Sequence, residues 1–224
     1  MTDRWHEYVS GGLSAEGDPL AAAYRSWTYL RPLLIRMRRA LPQGGRVLEL
    51  GCGAGLVSAL FASWGHHVTA VDNDEDIVRT ARETTRRLGQ SIDVVLADAL
   101  NPPGYLRGFD LVFSLGLVEH FDRDVTVEML RRQRDMANTV VPVIPTRHTR
   151  HADGISDERI YSLREFRDLL RDASLETSQV FAFGDVPSLP ARAMRNSLPP
   201  RLYQMLQSPT GLAMNFAAIA GTGK

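Results

Sequence analysis

Residues Val47–Gly55 read VLELGCGAG. Val47, Leu48 and Leu50 make a short apolar run of β-forming character. Glycines follow at alternate positions, Gly51, Gly53 and Gly55. Beyond them Leu56, Val57, Leu60 and Phe61 recur at helical spacing. Strand, glycine turn and helix form the opening unit of a doubly wound α/β domain, whose ligands bind over the C-terminal ends of the strands. Each glycine takes a dihedral closed to other residues, or lets main chain approach a ligand where a Cβ would collide.

The spacing narrows the ligand. A dinucleotide fingerprint needs G-x-G-x-x-G, and Leu56 stands where its last glycine would be. The pattern here is E-x-G-x-G-x-G, with Glu49 two residues ahead of the first glycine. This resembles motif I of the class I S-adenosylmethionine-dependent methyltransferases, and the resemblance continues through the next three strands. It implies a Rossmann-like, doubly wound sheet of seven strands, mostly parallel with an antiparallel last strand. It also implies S-adenosylmethionine as cofactor.

Length and composition set the frame. The 224 residues fit one α/β domain (41–224) behind an N-terminal arm and helices (1–40), and 44% apolar residues support a sizeable core. Cations and anions balance at 26 each, so no global field draws the chain to nucleic acid or to an anionic membrane. All the strong cations except Lys224 are arginine, which reads as composition bias. Cys52 is the sole cysteine, excluding an internal disulfide and a thiolate metal cage. There is no signal-peptide core and no bilayer-spanning apolar run, so a cytoplasmic protein, monomer or homodimer, is expected.

Taken in order, residues 1–18 carry Trp5, His6 and Tyr8 before a Ser10-Gly11-Gly12 turn, suiting a lid or a loose tail. Asp18-Pro19 is a helix start. Leu20, Tyr24, Trp27, Leu30, Leu34 and Met37 predict an apolar stripe that Pro32 should bend or split. Arg31, Arg36, Arg38 and Arg39 fall largely off that stripe, as a solvated face or a phosphate-binding one. His67–Asp72 is strand 2; it ends on an acid 23 residues beyond Glu49, near the offset of a ribose-binding carboxylate. The other reading of Asp72 is helix capping alone, though Asp74 is the better cap for a helix over 75–88. Ile92–Ala97 is strand 3, followed by Asp98 and Ala99. Asn101-Pro102-Pro103-Gly104 mimics an amino-methyltransferase motif, but it precedes strand 4 and reads as a turn.

Phe109–Leu115 is strand 4, and Gly116–Phe121 resembles the family's loop ending in Glu-His. Asn138–Ile144 should be strand 5, short or bulged because of Pro142. Pro145–Tyr161 is a long polar loop holding Arg147, His148, Arg150 and His151. Ser162–Glu165 is a capping box. Glu176–Phe183 is strand 6, 186–208 reads as turns around a short helix, and 211–220 is the last strand.

By resemblance the cofactor site is Glu49, Gly51, Cys52, Gly53, Gly55, Asp72, Asn73, Asp98, Ala99, Ser114 and Leu115. Asp72 would hold the ribose and Asp98 the adenine amino group. The residues themselves leave the catalytic groups open. A base is needed only if the acceptor must lose a proton. His120 is the first candidate, with a purely structural histidine as the other reading; His148 and His151 are the second. The three histidines could ligate a metal, but the carboxylate-rich pattern of the cation-dependent O-methyltransferases is not recognisable, so no metal is expected. Tyr8, Tyr24, Trp27 and Arg147 are candidates for the acceptor pocket, Arg147 through charge-assisted bonds to an acidic acceptor. The reading is methyl transfer to an oxygen or nitrogen of a small molecule. The alternatives are a protein or nucleic-acid methyltransferase, and a non-catalytic S-adenosylmethionine-binding subunit or sensor.

Overall fold

The computed structural model describes residues 18–149, 159–210 and 212–221. Its elements are α1 (Pro19–Ala40), β1 (Arg46–Leu50), α2 (Leu56–Ser63), β2 (His67–Asp72), α3 (Glu75–Arg87), β3 (Asp93–Leu96), β4 (Phe109–Leu115), α4 (Arg123–Met136), β5 (Ala137–Pro145), α5 (Leu163–Asp172), β6 (Glu176–Phe183), α6 (Leu189–Ser197), α7 (Pro200–Thr210) and β7 (Asn215–Gly221). A single 3-10 turn, Val118–His120, follows β4. The seven strands form one sheet in the order β3-β2-β1-β4-β5-β7-β6. β1 to β5 pair in parallel, and β7 runs antiparallel to both β5 and β6. The expected mixed doubly wound sheet is present.

Helices cover both faces. On one, Leu30, Leu33, Leu34 and Met37 of α1 pack with Phe61 of α2 and with Val47, Phe113, Val141 and Phe183 of the sheet. On the other, Met129 and Leu130 of α4 and Phe166 and Leu169 of α5 pack with Leu48, Val112, Val140 and Phe216. Strand residues therefore alternate between two buried faces, which is why β1 reads as a continuous apolar run broken only by Glu49. Each such side chain taken from water contributes about 1.5–3 kcal/mol.

Several expectations need correction. α1 is one continuous 22-residue helix with Pro32 inside it. Pro32 forfeits one backbone bond, but the buried face on either side keeps the helix whole. The apolar stripe also starts later than expected: Leu20 and Tyr24 are 59% and 71% exposed, and Ala22 and Ala23 occupy the buried positions of the first turns. β5 is nine residues long and not bulged. Its pairing with β7 keeps one register from Thr139↔Gly221 and Val140↔Ala220 to Val143↔Ala217 and Ile144↔Phe216, on both sides of Pro142. The missing donor costs one ladder bond, which the flanking register tolerates. The stretch 186–208 holds two helices, α6 and α7, and β7 starts at Asn215 rather than 211. β3 is shorter by a residue at each end. No helix among the described residues is long and apolar enough to cross a membrane.

Candidate functional site

The glycine turn sits where β1 ends between β2 and β4. Gly51, Gly53 and Gly55 have φ of 69°, 51° and 71°, the left-handed region that side chains avoid. The amides of Gly51 and Cys52 both donate to the Val71 carbonyl, at 2.9 and 3.0 Å, tying the turn to the end of β2. A Cβ on Gly51 would also press against Leu117 at 3.2 Å, so the turn and the loop after β4 fit closely.

Gly55 is the N-cap of α2 and has no side chain to cap it. Glu49 supplies that bond from the neighbouring strand. Its Oε2 accepts from the Ser58 amide at 3.1 Å and from the Ser58 hydroxyl at 2.5 Å. Both bonds fall on one oxygen. Glu49 is 3% exposed, and burial raises its carboxyl from the ordinary 4.5 to about 8, against the opposing pull of Ser58. Sequence reasoning missed Ser58. Its signal was a hydroxyl in the first turn of the apolar helix LVSALFAS.

Asp72 ends β2 and is buried at the rim of the same turn. One oxygen accepts from the Gly53 amide at 3.2 Å and the other from the Asp74 amide at 3.3 Å. Burial pushes its carboxyl up, partly offset by those amides. Capping of α3 falls to Asp74, whose side chain accepts from Asp76 and Ile77. The Cys52 thiol is buried within reach of the charge of both acids. Burial raises its pKa well above the usual value, and the charges of Glu49 and then Asp72 add to that. Two carboxyl groups thus flank Cys52–Gly53, and among the described residues no arginine or lysine pairs with either.

The remaining expected residues ring this turn unevenly. Asn73 and Asp98 are exposed, Asp98 with one oxygen held by the Leu100 amide at 2.8 Å, and Ala99 is buried. The Ala97 amide donates to the Asp72 carbonyl at 2.9 Å, joining the ends of β2 and β3. Ser114 pairs with Leu50 in the sheet, but its hydroxyl is fully buried and accepts from Gln133 of α4 at 3.3 Å. Leu115 is half-buried against the α1 face. His120 closes the 3-10 turn, its amide donating to the Leu117 carbonyl at 3.3 Å, beside a buried Glu119 whose carbonyl accepts from Arg159.

Trp27 donates its indole N–H to the Leu56 carbonyl at 2.8 Å, which brings α1 against the first turn of α2. Tyr24, nearly one turn earlier, is exposed. Arg147 is exposed at the end of β5. His148 is half-buried; its amide donates to the Thr146 hydroxyl, while its buried Nε2 meets no partner among the described residues. Tyr161 has a buried hydroxyl in the same condition and gave no signal in the sequence. Tyr8 and His151 lie outside the described residues.

The family model described as a methyltransferase domain matches residues 47–139. The chain is 34% identical over 122 residues to the ubiquinone biosynthesis O-methyltransferase of Methylocella silvestris, covering 48% of this chain and 47% of that protein. It is 37% identical over 84 residues to the same-named protein of Aromatoleum aromaticum, covering 37% of this chain and 36% of that one. The alignments thus span half or less of these relatives. In fold the chain is similar to the magnesium protoporphyrin IX methyltransferase from Synechocystis PCC 6803, solved with bound SAM (TM-score 0.60, 13% identity, 88% of this chain and 78% of that one). It is likewise similar to a SAM-dependent methyltransferase from Aquifex aeolicus (TM-score 0.60, 19% identity, 91% and 97%). The methyltransferase-domain match thus spans residues 47–139, and the chain shares the fold of these solved methyltransferases.

Proposed function

We propose that this protein transfers a methyl group from S-adenosylmethionine to an oxygen or nitrogen of a small molecule. The observation that carries the reading is the pair of buried carboxyl groups, Glu49 and Asp72, at the glycine turn, with no cation among the described residues to balance them. A dinucleotide would put its pyrophosphate over that turn, against two acids. A ligand with a positive sulfur and an ammonium group instead favours the ionised form of these carboxyl groups, the reverse of a pyrophosphate.

The donor set also fits. Each oxygen of Asp72 accepts one described backbone bond, leaving lone pairs for a ribose diol, which can only donate to a carboxylate. Asp98 keeps one oxygen for an exocyclic amine. Glu49, Gly51, Cys52, Gly53 and Gly55 would hold the amino-acid end, Asp72 and Asn73 the ribose, and Asp98, Ala99, Ser114 and Leu115 the base and the sulfur side. The cofactor supplies a methyl carbon on a positively charged sulfur, open to in-line displacement. The chain's part is to align the acceptor and exclude water, which can account for about 7–11 kcal/mol in favourable systems.

His120 takes the acceptor proton on this reading. It is carried by the turn after β4, beside the glycine turn through Leu117. His148 and His151 stand in reserve on the loop after β5. Residues 1–30 cover the cofactor, and Tyr8, Tyr24, Trp27 and Arg147 line the acceptor pocket; the Trp27–Leu56 bond supports placing α1 there.

The test is cofactor binding by an Asp72 variant. Asp72→Ala should weaken S-adenosylmethionine by roughly 1–3 kcal/mol in calorimetry, the cost of a lost charged partner, with the folded baseline unchanged in circular dichroism. Affinity equal to wild type would remove Asp72 from the site.

A further inference from the structure

A groove of about 830 Å³ lies between α1 and α7, over one end of β6 and β7. Four arginines line it: Arg31, Arg36 and Arg39 from α1 and Arg201 from the start of α7. It sits at the far end of the sheet from the glycine turn. Gln179 and Ile219 of its floor pair near the beginning of β6 and the end of β7. That is the end where Gly221 meets Thr139, near the beginning of β5.

The charge here departs from the rest of the molecule. The chain is neutral overall. Elsewhere arginines pair with carboxylates, as Arg79 with Asp76, Arg86 with Glu83 and Arg195 with Asp185. Among the described residues, no aspartate or glutamate lines the groove. Among the described residues, none of its four arginines makes an ion pair. Arg36 is fixed in place, with its guanidinium 4.2 Å from the Phe181 ring centroid and one N–H donating to the Pro32 carbonyl at 2.7 Å. Burial, and then the charge of Arg39, lower its pKa. Four positive groups held together without a counter-charge make the groove a site for an anion.

We propose that this groove binds an organic di- or triphosphate, at a site separate from the methyl-transfer site. Arg31 and Arg39 lie eight residues apart on one helix, about 12 Å along its axis, more than a single phosphate spans. Guanidinium forks match phosphate oxygens in pairs. The same groove is also lined by apolar residues such as Ile35 and Ile219, which suit an organic body rather than a bare polyphosphate.

Calorimetry on the full chain at about 0.15 M salt tests this with four probes: cytidine triphosphate, adenosine triphosphate, inorganic pyrophosphate and a single-stranded oligonucleotide. The cytidine nucleotide is included because it cannot use an adenine pocket. Both nucleotides should saturate one shared site, and pyrophosphate should bind about tenfold or more weaker. The double variant R39A/R201A should weaken the cytidine nucleotide by about a hundredfold, two charged contacts at roughly tenfold each, with an unchanged melting temperature. Arg31→Gln, at an exposed position, should cost about tenfold and serves if the double variant folds poorly. Absence of saturable nucleotide binding would overturn the proposal, as would equal affinity in the variants. Pyrophosphate binding as tight as cytidine triphosphate would make the site one for inorganic phosphate. An oligonucleotide that binds tighter than either nucleotide would make the groove a nucleic-acid surface instead.

Discussion

His120→Ala is expected to lower methyl transfer by about a hundred- to ten-thousand-fold, the usual cost of a lost general base. S-adenosylmethionine affinity should stay near the wild-type value, because the proposed cofactor residues lie at or just beyond the ends of β1, β2 and β3 and at the end of β4, apart from His120. The expectation rests on position. β4 runs beside β1, and the loop that follows presses Leu117 onto Gly51 before turning through Val118–His120. On the proposed reading, a histidine there is placed where an acceptor approaches the methyl carbon. The wild-type rate should rise with pH through an apparent pKa that the variant lacks. Near-normal turnover in the variant would make His120 structural and leave alignment alone to drive transfer. Loss of folding or of cofactor binding would assign it to holding the loop, and His148 and His151 would be tested next.

Glu49 should make stability depend on pH in a direction unusual for a carboxylate. Burial raises its folded pKa to about 8 from the ordinary 4.5. Below about 4.5 it is protonated in both states. As pH rises from there, the unfolded chain ionises while the folded chain keeps its proton, so stability falls until the folded group also ionises near 8. The loss across this window is on the order of a few kcal/mol. Glu49→Gln keeps an oxygen for both Ser58 bonds and carries no titratable group, so its denaturant midpoint should lose most of this slope between pH 5 and about 8. Parallel pH profiles for the two proteins would show that Glu49 is already ionised in the fold.

The sheet was legible because its signals are local. β1, β2, β4 and β6 each announce themselves by an apolar run with a turn or cap at its end, and the Asp74 and Ser162 caps mark the starts of α3 and α5. Expectations failed where tertiary packing overrides a local rule. Pro32 stays inside α1 because the core holds that helix on both sides, and Pro142 stays in β5 because pairing on either side keeps the register. α6 and α7 were hidden by the prolines that flank and begin them. At the site, the motif named Glu49 and Asp72, but not what each does locally. That Glu49 caps α2 through Ser58 follows from Gly55 lacking a side chain, a relation across a strand and a helix that no spacing rule contains. The groove arginines were visible as residues, but only the approach of α7 to α1 shows them gathered without acids.

The central claim is that an acid-flanked glycine turn holds an adenosine ligand with a cationic amino-acid tail. Titration of S-adenosylhomocysteine and NAD into the full chain, followed by calorimetry, tests it most directly. Saturable one-site binding of S-adenosylhomocysteine, with no binding of NAD at the same concentrations, is the expected result. Binding of NAD in preference to S-adenosylhomocysteine would contradict it.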